Sequence, residues 1–516
     1  MKAGGPSAPG GFGRMTRAEW TKFRTVRGWV AGMAAAALVT VLLGLMSAAG
    51  SHTSCGGPDD TCPVPPVGPG GEAVDDHFFF AHRSLTGDGS LTARVTSMTG
   101  KVRVPDRVPG ARRLDARLVP WAKAGLVVKD GVRQGSTYAA VMVTGGHGVR
   151  MQHDFTQDTA GLPGGVSAGS PRWLRLDRKG QEITGYESAD GRRWTEVGRA
   201  RLPGLPDTAE IGLFAASPGD LTVTRADFGG SIEQVRFSET TAVFDRVELS
   251  GRVAAGAWRR DDIGVTTEAD GVTPHHPGGF QESGGTYTVT GVGDIGPVVD
   301  GPRPENTLTG VVIALIVVIV VAVVFVTAEY RRGLVRVTLL ASPRRGHALA
   351  AKAVVIAAVT FAAGLAATAA TVSLGTGLLR GNGAVLLPVS GEAQVRLIGG
   401  VALMMAATAV LALGLGALLR RGPAAITAGI AVVVVPHLLA TASFLPDEAA
   451  RWLLRLTPAA GFAIQQSIPE YPQVLANYVP SAGFYPLAPW AGLAVLCGYA
   501  GLVLVLAVIR LNRRDA

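Results

Sequence analysis

Glu329, Tyr330, Arg331 and Arg332 stand directly behind a run of about twenty apolar residues, and Gly333, Pro343 and Arg344 follow in the same stretch, "VTAEYRRGLVRVTLLASPRRG". A carboxylate, a phenol and several guanidinium groups at the end of an apolar run offer ion pairs and directed hydrogen bonds to a polar partner. Leu334, Val337 and Leu340 fall at helical spacing before Pro343, which predicts a short helix with an apolar stripe and a charged end. His437, beside Pro436, is the one titratable group deep inside an apolar run. Such a residue is by default a functional candidate, and a neutral ring hydrogen-bonded to a neighbouring helix is the plainer alternative. Asp154, Asp158, Asp190 and Glu196 supply carboxylates for a glycosidase, but their spacing selects no pair. His275 and His276 adjoin each other in "TPHHPGG" without a Cys or carboxylate framework at metal-ligand spacing, so no metal is expected. Cys55 and Cys62, in "CGGPDDTC", are close enough to close a small disulfide loop, whereas Cys497 reads as a small packing residue.

The elements that must hold these groups follow from the distribution of charge. The chain has 516 residues, 47% of them hydrophobic, and most charges fall between residues 72 and 305. Six stretches have the length and apolarity of membrane spans: Trp29 to Ala49, Leu308 to Ala328, Ala353 to Leu374, Leu397 to Leu419, Pro423 to Phe444 and Pro486 to Ile509. Buried core helices rarely run so long without a polar face. The formal charge of +9 would suit nucleic acid, but the basic residues cluster beside apolar runs without interleaved aromatics, so no nucleic acid is expected.

Arg14, Arg17, Lys22, Arg24 and Arg27 precede the first span, and Arg331, Arg332, Arg336, Arg344, Arg345 and Lys352 lie between the second and third. Arg420 and Arg421 separate the fourth from the fifth, and Arg510, Arg513 and Arg514 follow the sixth. All four sites fall on one side of a six-span arrangement, which the excess of basic residues makes cytoplasmic. Arg451 and Arg455 on the other side are an exception, with Asp447 and Glu448 nearby. The expectation is a multi-pass plasma-membrane protein with both termini cytoplasmic. The basic residues, apolar core and "SAAG" near residue 50 also resemble a cleavable signal, but the core is longer than a signal needs and a retained span is expected.

Residues 50–74 read as a disulfide loop and Pro/Gly-rich linker, 75–250 as an extracellular β-sandwich, and 251–305 as a second small β-rich segment. Short alternating runs such as "AGLVVKDG" and "STYAAVMVT" end in Gly-containing turns. "RWLRLDRKGQEITGYESADGRRWTEVG" reads as three strands joined at Lys179-Gly180 and Asp190-Gly191. Through "WAKAGLVVKDG", "PRWLRLDRKG", "GYESADGRRWTEVG" and "IGLFAASPG", this part resembles the laminin-G and concanavalin-like lectin superfamily. That likeness implies a sandwich whose exposed aromatics could stack on an extracellular glycan. Trp121, Trp173, Tyr186 and Trp194 are the candidates, and core packing is the plainer role for each.

The membrane half resembles the permeases of the ATP-binding-cassette type-2 exporter family. "EYRRGLVRVTLLASPRRGHALAAKAVV" is similar to the segment after the second span there, and "RAEWTKFRTVRGW", with Glu19, Trp20 and Lys22, to the amphipathic helix that leads into the first. "DEAARWLLRLTPAAGFAIQQS" matches the short outer helices before the sixth span in character. A whole domain in the first outer loop is a departure from that family. The resemblance implies a permease without a nucleotide site, and no G-x-x-x-x-G-K-[ST] stretch occurs; "SMTGKVRV" lacks the hydroxyl residue. It implies that a separate cytoplasmic ATPase binds ATP and docks on residues 329–345, with Glu329, Tyr330, Arg331, Gly333, Pro343 and Arg344 as the coupling residues. It further implies a dimer with itself or with a paralogous permease, with cargo that is hydrophobic or amphipathic. A membrane-anchored glycan or cell-wall sensor is the alternative.

Overall fold

The computed structural model describes residues 11–54, 62–104, 113–225, 231–264, 266–267, 274–331 and 345–514. A leading helix, α1 (Gly11–Thr25), precedes α2 (Arg27–Gly50). The strands between residues 74 and 297 come next, followed by α3 (Val311–Arg331), α4 (Arg345–Gly381), α5 (Gly391–Leu419), α6 (Gly422–Thr441), the short α7 (Asp447–Leu456) and α8 (Pro489–Arg514). Among the described residues six helices are long and apolar enough to cross a bilayer, and they match the six stretches expected from the sequence. The helix α5 lies at the centre of the bundle, against α3, α4, α6 and α8, while α2 and α8 leave most of their apolar surface outward.

Small residues set how closely these helices approach. A Cβ on Gly44 would sit 2.3 Å from the Thr307 carbonyl oxygen, and one on Gly310 would sit 2.7 Å from that of Thr40. Backbone therefore meets backbone where α2 crosses the 3-10 turn Pro304–Gly310 that opens α3.

The β domain is organised around one long strand, Phe78–Arg103. Its first half pairs with Thr208–Ala216 and its second with Arg172–Lys179, and Ser238–Val253 runs antiparallel along the second half. The chain of strands continues on one side through Lys123–Lys129, Tyr138–Thr144 and Val149–His153, and on the other through Glu182–Ser188 and Thr195–Arg201. These two wings fold over each other, so Gly185 of one faces Met151 and Val141 of the other. The inner faces bury Leu126, Val128, Val141, Leu174, Leu176, Ile211 and Phe244, the alternating side chains of a sandwich core. The three strands expected around Gly180 and Gly191 are present, and both glycines adopt positive φ (59° and 72°) in their turns. The strands Arg259–Ile263, Gly279–Ser283 and Thr286–Gly291, within the segment read separately from the sequence, belong to the same sheet.

The central strand Lys123–Lys129 is buried on both faces. Its outer face carries Lys123 and Lys129 under a two-stranded ribbon, Val74–Asp76 with Ile295–Pro297, which joins the domain to its two connections with the bundle. Lys129 Nζ donates to Asp76 Oδ2 at 2.7 Å and Lys123 Nζ to Asp294 Oδ1 at 2.5 Å. Burial drives the Lys129 pKa down and those of Asp76 and Asp294 up. Beneath the ribbon, Val299, Leu387, Ile468 and Phe484 form a small apolar cluster between the domain and the loops of the bundle. Gln473 Nε2 donates to the Thr156 carbonyl at 3.1 Å and Asn477 Nδ2 to Glu233 Oε1 at 2.8 Å. The domain thus rests on the loops before α5 and before α8.

Candidate functional site

At the end of the bundle away from the β domain, α1 lies across α3 and α4. Its apolar side faces inward: Phe23 is buried and meets the rings of Trp29 and Phe325 at centroid distances of 6.2 and 5.7 Å. One turn earlier on the same face, Glu19 is only 4% exposed, whereas Trp20 points outward at 46%. The i, i+4 register of the helix therefore carries a carboxylate into the interior along with the phenyl ring.

That carboxylate completes a node of four charges from three helices. Lys352 Nζ, near the start of α4, donates to Glu19 Oε2 and to Glu329 Oε1, both at 2.6 Å. Lys22 Nζ donates to Glu19 Oε1 at 2.8 Å and to Glu329 Oε1 at 3.1 Å. Two carboxylates and two ammonium groups neutralise one another, and the Lys352 ammonium also lies 5.0 Å from the Phe325 ring centroid. Lys352 is 4% exposed, so its charge is held by these partners rather than by water. Burial works against the charged form of Lys22, but Glu19 and Glu329 outweigh it and raise its pKa above the ordinary lysine value. Such a node offers no nucleophile or acid–base relay. It fixes geometry, because a buried charge must keep its partner and cannot slide along an apolar surface.

The structure thus brings together Glu19, Lys22 and Glu329. The helix α3 continues through Tyr330 to Arg331. Gly333, Pro343 and Arg344, with the short helix expected around Leu334 to Leu340, lie outside the described residues. In the sequence Lys352 reads only as one of several orientation-setting charges. Its position flush against an apolar run was the available signal, since a lone cation there requires a partner.

Other candidates fall elsewhere. The His437 ring stacks on Phe462, with centroids 3.7 Å apart and planes 9° from parallel, and its buried Nδ1 has no hydrogen-bond partner. The ring is held by stacking instead of through a hydrogen bond at that nitrogen. Cys55 lies outside the described residues, and with it the loop it was expected to close with Cys62. Trp121 is buried, stacked at 4.0 Å on His147. Trp173 and Tyr186 are half-buried on one outer face of the sheet, beneath the guanidinium groups of Arg94 and Arg175 respectively. Trp194 is half-buried in the turn before the neighbouring strand.

The four carboxylates have local partners. Asp190 accepts the backbone N–H groups of Arg192 and Arg193, both at 2.9 Å, and these hold its pKa well below the usual range. Asp158 pairs with Arg150, Glu196 with Arg199, and Asp154 accepts from Thr137. His276 Nδ1 lies 3.3 Å from Asp262 Oδ2, and among the described residues no group of three His, Cys, Asp or Glu side chains could hold a metal ion. A separate cluster joins the buried His82 to Glu210 through Nδ1 and to the half-exposed Asp261 through Nε2, both at 2.7 Å. Burial works against the Glu210 carboxylate, but hydrogen bonds from His82, Arg259 and Ser84 hold its pKa down to about 2.

No family model matches the chain, and no curated protein matches it. Among solved structures it is similar to a functionally unknown protein from Saccharomyces cerevisiae, at 15% identity over 34% of this chain and 74% of that one, with a TM-score of 0.20. It is also similar to scytalido-glutamic peptidase with a transition-state analog inhibitor, at 9% identity over 43% of this chain and all of that one, with a TM-score of 0.25. Likenesses at these scores transfer neither fold nor activity.

Proposed function

We propose that the chain is the membrane-spanning subunit of an ATP-binding-cassette exporter, working as a dimer with a separate cytoplasmic ATPase. The observation that supports this reading is the node of Glu19, Lys22, Glu329 and Lys352. It ties the leading helix, the end of α3 and the start of α4 into one unit, on the side where residues 332–344 connect two helices. A push delivered to that connection would move three helices together, as a subunit driven from outside requires. The cargo in this reading is a hydrophobic or amphipathic molecule, in keeping with polar groups in the bundle interior that are mostly threonine hydroxyls.

Purification of the tagged full chain from its own cells tests the reading by asking whether an ATP-binding-cassette ATPase accompanies it. Glu329→Ala and Arg331→Ala are expected to lose that partner or uncouple its ATPase activity from the membrane subunit. Full coupling in both variants would sink the assignment. A second reading, a membrane-anchored glycan sensor, is favoured by the half-buried Trp173 and Tyr186 sharing one outer face with Arg94 and Arg175. It predicts polysaccharide binding that Trp173→Ala abolishes, with no ATPase partner.

A further inference from the structure

The two arginines that break the charge pattern of the outer loops, Arg451 and Arg455, meet a third, Arg396, in a cavity of about 500 Å3 beside the β-domain end of α5. Among the described residues all three have only neutral partners. Arg396 donates from Nη2 to the Gln466 carbonyl at 2.7 Å, Arg451 from Nη2 to the Tyr478 carbonyl at 2.5 Å, and the Arg455 guanidinium lies over the Trp452 ring at 5.3 Å. The Arg396 Nε is buried without a hydrogen-bond partner. Glu392 and Glu470 also line the cavity, so among its lining residues cations exceed anions by one, three arginines against two glutamates. The planar fork of a guanidinium lining a cavity is suited to phosphate oxygens, which it binds with charge-assisted hydrogen bonds.

The cavity does not end at the arginines. It shares Glu392 and Arg396 with an apolar groove of about 450 Å3 that runs down α5 between Phe361 and Trp490. Val395, Gly399 and Leu403 line its floor, about 12 Å of helix at 1.5 Å per residue. The two glycines there have different roles. A Cβ on Gly400 would strike Ile464 at 2.3 Å, so that glycine serves contact between helices. A Cβ on Gly399 would meet nothing within 4 Å, so that position leaves open space in the groove. On the other side the cavity shares Ser390, Ser467, Ile468 and Pro469 with a cleft of about 350 Å3 that reaches Glu72 and Val298 at the foot of the β domain.

We propose that this groove binds a membrane lipid with an anionic phosphodiester headgroup. The headgroup sits at Arg396, Arg451 and Arg455, and an acyl chain lies along Gly399 between Phe361 and Trp490. The lining residues shared with the neighbouring cleft place that headgroup near the foot of the β domain. The inference rests on α4, α5 and α8 spanning a bilayer but is independent of any ATPase partner.

The test uses the full chain in phosphatidylcholine nanodiscs carrying a trace of phosphatidylglycerol with a photoreactive acyl chain. Recovery in nanodiscs is scored first, so a failure of membrane integration is distinguished from a failure of the site. Cross-links are expected in residues 391–403 and at Trp490, displaced by unlabelled phosphatidylglycerol but not by inorganic phosphate. Arg396→Gln with Arg455→Gln is expected to reduce labelling about tenfold, the order set by losing charged hydrogen bonds. Gly399→Leu, at a position where a Cβ meets nothing within 4 Å, puts a side chain into the groove and is expected to abolish it. Equal labelling by a phosphatidylcholine analogue, displacement by inorganic phosphate, or full labelling of inserted Gly399→Leu protein would each overturn the proposal.

Discussion

Lys352 is the more buried of the two lysines that bridge the node, and it donates to both carboxylates at 2.6 Å. Replacing it with methionine keeps the side-chain length and leaves Glu19 and Glu329 facing each other with only Lys22 between them. Loss of one partner from a buried ionic cluster costs about 3–5 kcal/mol, so Lys352→Met is expected to lower the thermal midpoint of the detergent-solubilised protein markedly. Adding Glu19→Gln should restore part of that loss, and a double-mutant cycle with no coupling energy would show that the contact is energetically idle. In the β domain the residue-scale prediction concerns pH. The folded pKa of Glu210, about 2, lies below its ordinary value of 4.5. The stability it contributes is therefore complete above the ordinary value and is lost as the pH falls through that window. Urea unfolding of wild-type protein and Glu210→Gln at about pH 6 and about pH 3 should give a large difference at the higher pH and a smaller one at the lower. Parallel behaviour of the two proteins would refute the role given to His82 and Arg259.

At the scale of elements, α1 is bound to the bundle by apolar and ionic contacts, Phe23 on Trp29 and Phe325, Glu19 on Lys352, and Lys22 on Glu329. The amphipathic spacing of "RAEWTKFRTVRGW" shows that one face will be covered, but the partner comes from residues more than three hundred positions away in the chain. A similar limit applies to α2. Gly44 reads as one small residue among many, whereas the structure sets it against the Thr307 carbonyl and the Thr371 methyl at 2.3 and 2.4 Å. Gly44→Leu is expected to push α2 off α3 and α4 at a cost of about 1–3 kcal/mol, the usual range for overfilling a tight contact. Gly28→Leu, on the same helix with nothing within 4 Å of its Cβ, serves as the control, and the two thermal midpoints should separate clearly. Similar midpoints would mean that the crossing is looser than these distances indicate.

At the scale of the whole molecule, the β domain is seated on the bundle. The apolar cluster of Val299, Leu387, Ile468 and Phe484, with the hydrogen bond from Gln473 to the Thr156 carbonyl, joins it to loops that precede α5 and α8. Movement of those helices would therefore be transmitted to the domain. The orientation inferred from the basic flanks has a direct test. Single cysteines placed at Val132, exposed on the β domain, and at Trp20, exposed on α1, are expected to differ in intact cells. A membrane-impermeant maleimide should label the first and spare the second until the membrane is opened. The reverse pattern would invert the topology and remove the basis for a cytoplasmic partner.

Six apolar lengths, one insertion rich in strands and the turns at Gly180 and Gly191 were legible in the sequence because each depends on local periodicity, length or a required backbone angle. Glu329 was legible as a candidate because a carboxylate ending an apolar run needs an explanation, and Glu19 and Lys22 only through the resemblance of "RAEWTKFRTVRGW" to an entry helix. Their meeting with Lys352 was not, because it depends on how α1, α3 and α4 cross. The same holds for the sheet, which draws residues 259–291 onto the long strand and its neighbours, and for the three outer arginines, which reach one cavity from α5 and α7. Sequence by itself determined which segments must leave water and which must form strands. Only the tertiary structure decided which buried charges neutralise each other and where cations outnumber anions, because those partners are set by contact in space and not by distance along the chain.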